Sequence, residues 1–425
     1  SVNTGLNGSV ELKAINGSIE FGRDNQVLSG SGDIELWAAN NILLGGRVGT
    51  NGTVALLAES GSIGDLFLDG TVVVEAGALV AQAALNVGST SNAMGIDVAQ
   101  ITVDSLRGGV YLNELNGLMV VDSLTWQIGR VGADAFLLTR SESSRAAGIH
   151  SYQGVGIEVR DGHLDLSAPV LANRDVEFKL GFGGIIDSHG AGVDVRGADL
   201  TLFADVVGNS ANALETHVSG LDAQTVRGGI FIDNTGSLNV SGAVATANVE
   251  ITATGNLTLG GVSSPTQIEL AATGGAILGG GSASADISAP VAELTAQNGI
   301  GGTGAAELDV SVGRLVLGNS ATGSVYLNLH NATILAAADL AGPGNLYLRS
   351  SGPLTVEGTV SLYQGSVRAK ISDALLISGE ILASGGIDLL AVDTDLVGAR
   401  LLSSSADIRL RSSGTLVIDA ESSLE

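Results

Sequence analysis

The chain has 425 residues, of which 62 are Gly, 5 are Pro and none is Cys, and aromatic residues make up only 3%. Lys and Arg number 19 against 44 Asp and Glu, a formal net charge of −25, yet charged residues are only 15% of the total and mean hydropathy is +0.36. So apolar a chain is not disordered, and without Cys it has neither disulfides nor a thiolate metal site. Its acidity, with no basic cluster along the sequence, argues against nucleic acid as a partner, and no apolar run is long enough to cross a membrane.

Short alternating strands are predicted from the amino-terminal end onward. Gly8-Ser-Val10-Glu-Leu12, Gly32-Asp-Ile34-Glu-Leu36 and Gly52-Thr-Val54-Ala-Leu56 repeat one phrase. The apolar positions alternate, which puts them on one face of a strand. A larger unit follows. Val87-Gly88, Asn92-Ala93, Arg107-Gly108-Gly109-Val110-Tyr111-Leu112 and Leu118-Met-Val120 return, offset by 120 residues, as Val207-Gly208, Asn212-Ala213, Arg227-Gly228-Gly229-Ile230-Phe231-Ile232 and Leu238-Asn-Val240. A looser third copy runs from Ile300-Gly301 through Leu308-Asp-Val310 to Val325-Tyr-Leu327-Asn328.

Between the first two copies, residues 121–170 are the least regular stretch. Trp126, Arg130, Arg140, Arg145, His150, Tyr152, Arg160 and His163 concentrate there. The pattern fits longer coils or a bulging loop, and alternatively a recognition surface, because insertions in solenoids map to one face.

The strand phrase continues as Gln267-Ile268-Glu-Leu270, Asn345-Leu346-Tyr-Leu348, Ser366-Val367-Arg-Ala369, Gly386-Ile387-Asp-Leu389 and Asp407-Ile408-Arg-Leu410. A period of about twenty residues built from short strands is the signature of stacked coils. Gly at this frequency is incompatible with a helical solenoid, because each Gly in a helix interior costs about 1 kcal/mol. The fold class is therefore all-β: a single-stranded parallel β-helix, or β-solenoid, of about twenty coils running continuously over residues 1–425. At ~4.8 Å per coil such a rod is on the order of 100 Å long. The predicted inward set is Val10, Leu12, Ile34, Leu36, Val110, Leu112, Ile230, Ile232, Ile268, Leu270, Leu346, Leu348, Ile387 and Leu389. Corners are expected at Asn16-Gly17, Asn40-Asn41, Asn51-Gly52, Asn116-Gly117, Thr235-Gly236 and Gly255-Asn256, where Gly and Asn tolerate positive φ. The sequons at Asn7, Asn16, Asn51 and Asn331 are read as turn residues rather than glycosylation sites.

Candidate chemistry is sparse. β-Helical polysaccharide lyases and hydrolases align carboxylates and basic groups on one face. The candidates here are Asp161, Asp165, Asp187, Asp194 and Asp199, with Arg160, Arg174 and Arg196 nearby in sequence. Acid–base work needs two carboxylates about 5–10 Å apart with one pKa raised, and coils of unequal length hide which of these align. His150, His163, His189, His217 and His330 lack the pairing of a zinc site. Gly301-Gly302-Thr303-Gly304-Ala305-Ala306 approaches the Ca²⁺-binding nonapeptide of β-rolls but lacks its Asp. Asp393 and Asp395 are read as a solvated turn pair. No catalytic, cofactor-binding or metal residue is assigned and no cofactor is expected beyond loose Ca²⁺ association.

The composite unit, with its Val/Ile-Gly pair, its Gly-Gly-Val/Ile-x-Leu/Ile strand and the Gly-x-Leu-x-Val that follows, resembles the repeat region of large exoproteins of the filamentous haemagglutinin type. These are two-partner-secretion proteins with right-handed parallel β-helices. The resemblance covers most of residues 1–120 and 170–425, although the amino-terminal secretion domain of that family is not evident. It implies a non-enzymatic adhesin, extracellular or on a bacterial cell surface, acting as stalk or filament subunit. Its partners would be host, neighbouring-cell or polysaccharide surfaces. The alternative is a carbohydrate-active β-helix enzyme. Strand phrases close to both ends, at Val10 and at Leu416–Ile418, lead to the expectation of uncapped ends on an excised piece or of end-to-end stacking.

Overall fold

The computed structural model describes residues 1–425 apart from 6, 132–136, 282–283 and 320. Part of the irregular 121–170 stretch therefore lies outside the described residues. The chain forms two compact units, Ser1–Val218 and Ser219–Glu425. Both are built from parallel strands coiled into a β-solenoid, about twenty turns in all. A 3₁₀ turn at Gly304–Ala306 is the sole helical element among the described residues. Among the described residues no helix is long and apolar enough to cross a membrane.

Each coil contributes short strands to parallel ladders. In the second unit Ile387–Ala391, Thr394–Leu396 and Arg400–Ser403 make one coil, and Ile408–Ser412, Leu416–Ile418 and Ser423–Leu424 lie in register on it. Inward side chains stack from coil to coil: Val10, Ile34, Val54, Leu79 and Ile101 in the first unit, and Val325, Leu346, Val367, Ile387 and Ile408 in the second. Of the fourteen predicted inward residues all are buried except Leu12, which is half-buried in the first coil. Each contributes about 1.5–3 kcal/mol by leaving water. The last coil is less covered, and its Leu416, Val417 and Ile418 are exposed.

The duplicated unit has the same local structure in its copies. Gly88, Gly208 and Gly301 all take positive φ, at +66°, +59° and +68°. At Gly88 a Cβ would also meet the carbonyl oxygen of Tyr111 in the following coil, so only Gly fits there. The antiparallel bridge Ser89–Asn92 has its counterpart in Asn209–Asn212.

The corners are made differently from the expectation. Of the corner glycines predicted from sequence, only Gly236 has positive φ. The rest of the turn chemistry is a ladder of side-chain acceptors. In the first unit the Asn41 N–H donates to Ser18 Oγ, Ser62 N–H to Asn41 Oδ1, Asn86 N–H to Ser62 Oγ and Gly109 N–H to Asn86 Oδ1, at 2.8–3.3 Å. Ser324, Asn345, Ser366 and Gly386 repeat the arrangement in the second unit. Ser and Asn sit at corners because each side chain accepts an N–H that turn geometry takes out of the strand ladder. Replacing Asn345 by Ala is expected to cost about 1–2 kcal/mol, since it strands the Ser366 N–H. Thermal unfolding with and without the substitution checks this. Many glycines serve close approach instead: at Gly344 a Cβ would strike the carbonyl oxygen of Gly323, and at Gly365 that of Gly344. Gly344→Val is expected to cost about 1–3 kcal/mol as overpacking, read as faster hydrogen exchange in Leu346–Ser350.

One segment leaves the parallel ladders. Thr125–Val131 and Leu137–Ser143 form an antiparallel hairpin. The solenoid resumes beyond it, where Val103 pairs with Ile149. The hairpin folds back over the outer face of earlier coils. Trp126 and Ile128 pack with Leu124 on Ala55, Ala78 and Val80, all of which point outward from their strands.

Candidate functional site

The carboxylates singled out in the sequence separate into distinct places. Asp161 and Asp199 are exposed, and Asp165 is half-buried, one of its oxygens lacking a hydrogen-bond partner. Arg174 and Arg196 are exposed. Arg160 is occupied by Asn113 Oδ1 at 3.1 Å and the Gly70 carbonyl at 3.2 Å. Two of the named carboxylates do meet. Asp187, at the end of the strand Gly184–Asp187, and Asp194, which precedes Val195–Arg196, join Glu215 of the strand Leu214–His217. One donor oxygen from each lies within 4.8 Å of the others.

Register explains the meeting. The Asp194 N–H donates to the Glu215 carbonyl at 2.8 Å, and Asp194 Oδ2 accepts the Glu215 N–H at 2.9 Å. Asp187 accepts the His189 N–H at 2.7 Å through Oδ1 and the Asn212 side-chain amide through Oδ2. His189 Nδ1 lies 3.5 Å from Asp194 Oδ1. Glu215 was missed in sequence because it sits a coil away and only stacking brings it to Asp194, whereas His189, set aside with the other histidines, lies between Asp187 and Asp194 in sequence.

Burial governs the electrostatics. Asp194 has no exposed surface, and its carboxyl is pushed up to about 9, first by burial and then by sharing the site with Asp187 and Glu215. Burial raises Glu215 as well. Among the buried oxygens of the cluster, Asp194 Oδ1 and Glu215 Oε2 have no hydrogen-bond partner. A proton held between Asp194 and Glu215 would lessen the repulsion among the three carboxylates. Acid–base catalysis on a polysaccharide has a further need, contact with substrate, and fully buried Asp194 does not offer it.

Other copies of the unit show what the pair does. In the coil before the third copy, buried Asp286 repeats the geometry against Asp309 of that copy: its N–H donates to the Asp309 carbonyl at 2.8 Å and its Oδ2 accepts the Asp309 N–H at 2.9 Å. His330 Nε2 lies 2.6 Å from Asp309 Oδ1. In the first copy the Val73 N–H donates to the Gly95 carbonyl at 2.9 Å, and no carboxylate is present at either position. The buried Asp is thus one of two ways to close this corner. Asp393, from the predicted turn pair, is exposed and accepts the Thr415 N–H at 2.7 Å.

Of the basic and aromatic residues of 121–170, Trp126, Arg130 and Arg140 are tied to earlier coils, whereas Arg145 and Tyr152 are exposed. Trp126 Nε1 donates to Glu35 Oε2 at 2.7 Å, and the Gln127 N–H to Asp33 Oδ2 at 2.6 Å. Arg130 makes a two-pronged ion pair with Glu11. Arg140 bridges Glu35 at 2.5 Å and Glu142 at 3.0 Å. These side chains fasten the hairpin to the solenoid.

Fold and site together define a parallel β-solenoid with a strapped outer face. No protein-family profile, curated protein or solved structure matches the chain.

Proposed function

We propose that this chain is a non-enzymatic structural and adhesive β-solenoid that works outside a bacterial cell, as its resemblance to filamentous haemagglutinin-type repeats implies. The observation that supports this reading is the fate of the carboxylates. Where they converge, at Asp187, Asp194 and Glu215, they are tied into corner hydrogen bonds and Asp194 is wholly enclosed. The corner ladders make a scaffold that carries outward side chains without depending on them. A carbohydrate-active enzyme is the second reading, favoured by the raised pKa of Asp194 beside His189.

Incubating the chain with a panel of plant, bacterial and animal polysaccharides distinguishes the two. The expected result is retention of some polysaccharide with no new reducing ends and no unsaturated product. Cleavage that Asp194→Asn abolishes would establish the enzyme instead.

A further inference from the structure

The second unit carries an outward face that no local stretch of sequence displays. Strands Val325–Leu329, Leu346–Ser350, Val367–Ile371, Ile387–Ala391 and Ile408–Ser412 stack in register. Their outward residues form two columns. One is Tyr326, Tyr347, Arg368, Asp388 and Arg409, and the other is Asn328, Arg349, Lys370, Leu390 and Arg411. Tyr326 and Tyr347 stack with centroids 4.6 Å apart and planes 9° from parallel, and Arg368 lies over Tyr347 at 5.9 Å. Beside Tyr326 the chain is Gly302-Thr303-Gly304, so this end of the stack is flanked by small residues. The columns line a groove of about 440 Å³.

Charge sets this face apart from the rest of the molecule. Arg349 pairs with Glu307, Arg411 with Asp388 and Arg409 with Asp407. Among the described residues, Arg368 and Lys370 have no carboxylate within ion-pair distance, and both are exposed. With Asp309 beside Asn328, five cations stand against four carboxylates, a positive surplus on a chain of net charge −25. Next to these charges stand the stacked rings, with their hydrocarbon faces and hydroxyl tips.

We propose that this face binds an acidic glycan chain laid across the strands along the two columns. Carboxylates or sulfates would meet Arg368 and Lys370, and sugar rings would rest against the tyrosines and the stems of the arginines. Successive coils are about 4.8 Å apart, close to the rise of one sugar in an extended pyranose chain. Arg349 and the Arg368–Lys370 pair stand on adjacent coils, so a polymer with one charge per sugar meets cations on two successive coils, whereas the coil that follows presents Asp388 and Leu390. Nucleic acid fits less well, because duplex phosphates are spaced at about 1.7 Å per charge and the remaining surface of this acidic chain repels them. The proposal rests on the adhesive reading above and names its ligand.

The test is biolayer interferometry at low salt with the whole chain, using polygalacturonate, dextran sulfate, neutral dextran and a single-stranded oligonucleotide as probes. Polygalacturonate or dextran sulfate is expected to bind and to be released by salt, and whichever binds identifies carboxylate or sulfate as the group recognised. R368E/K370E is expected to weaken that binding at least tenfold. R174E/K179E, an equal charge change on exposed residues of the first unit, is expected to leave it unchanged. Four results would overturn the proposal: neither polyanion bound, R368E/K370E binding as wild type, neutral dextran or the oligonucleotide bound as tightly, or self-association that R368E/K370E abolishes. Binding accompanied by cleavage would defeat the non-enzymatic reading and leave this one standing. Absence of binding would do the reverse.

Discussion

Replacing Trp126 by Ala is expected to destabilise the first unit by about 3–5 kcal/mol, the usual cost of removing a large buried aromatic side chain. Trp126 is only 3% exposed although it lies outside the solenoid, because the outer faces of Ala55, Ala78 and Val80 close over it. Its indole N–H is also the partner of Glu35, a carboxylate only 2% exposed. Losing it leaves Glu35 with Arg140 alone. Arg140→Met tests the same contact from the other side, and breaking a buried pair costs about 3–5 kcal/mol because a charge is left uncompensated. The two losses are not additive, since both act on Glu35. Hydrogen exchange in Ile34–Ala38, Val48–Ala58 and Val74–Ala83, the strands that Trp126 touches, is the local readout. Unchanged exchange in W126A would mean that the hairpin is an appendage and contributes nothing to the coils beneath it.

Stability of the first unit is expected to fall as pH rises from about 5 to about 9. An unfolded Asp194 releases its proton near 3.8, whereas the folded one holds it to about 9. Between those values the folded chain binds more protons than the unfolded chain, so unfolding becomes easier with rising pH. Glu114, buried and raised to about 8, acts in the same direction. Ionised Asp194 would be an enclosed charge beside Asp187 and Glu215, a penalty on the order of 3–5 kcal/mol. Asp194→Asn removes that charge, keeps an oxygen for the Glu215 N–H and supplies an N–H to Glu215 Oε2, which has no partner. The variant is therefore expected to match wild type near pH 4 and to exceed it near pH 9. Calorimetric unfolding across that range is the measurement. A wild-type stability that rises with pH, or an equal slope in D194N, would show that Asp194 is not the proton-holding group.

The coil period, the parallel β class and the inward residues follow from local pattern. Val10, Ile34, Val54 and their successors alternate with polar residues, and a period of two on a repeat near twenty leaves few other folds. Five of the six predicted corners fall between strands, while Asn51-Gly52 lies inside the strand Val48–Ala58, where the register shifts between Thr50 and Thr53. Corner chemistry is mostly side-chain acceptance by Ser and Asn, as at Asn41 and Asn345, rather than positive φ. A clue to the hairpin lay in Val54-Ala-Leu-Leu-Ala58 and Ala78-Leu-Val-Ala81, where the outward positions are apolar as well. Such unbroken runs belong to strands covered on both faces.

Neither site-like feature could be read from the linear chain. Asp187, Asp194 and Glu215 come together through a loop of irregular length, and Tyr326, Tyr347, Arg368 and Lys370 through the register of one coil on the next. Along the sequence no basic cluster exists, yet stacking assembles one on the second unit. Periodicity alone determined the coil, its core and its duplication, because burial of alternate residues is a local rule that every repeat obeys. Tertiary structure decided which outward residues become neighbours, since a single residue added to or removed from a coil shifts the alignment of every side chain stacked on it.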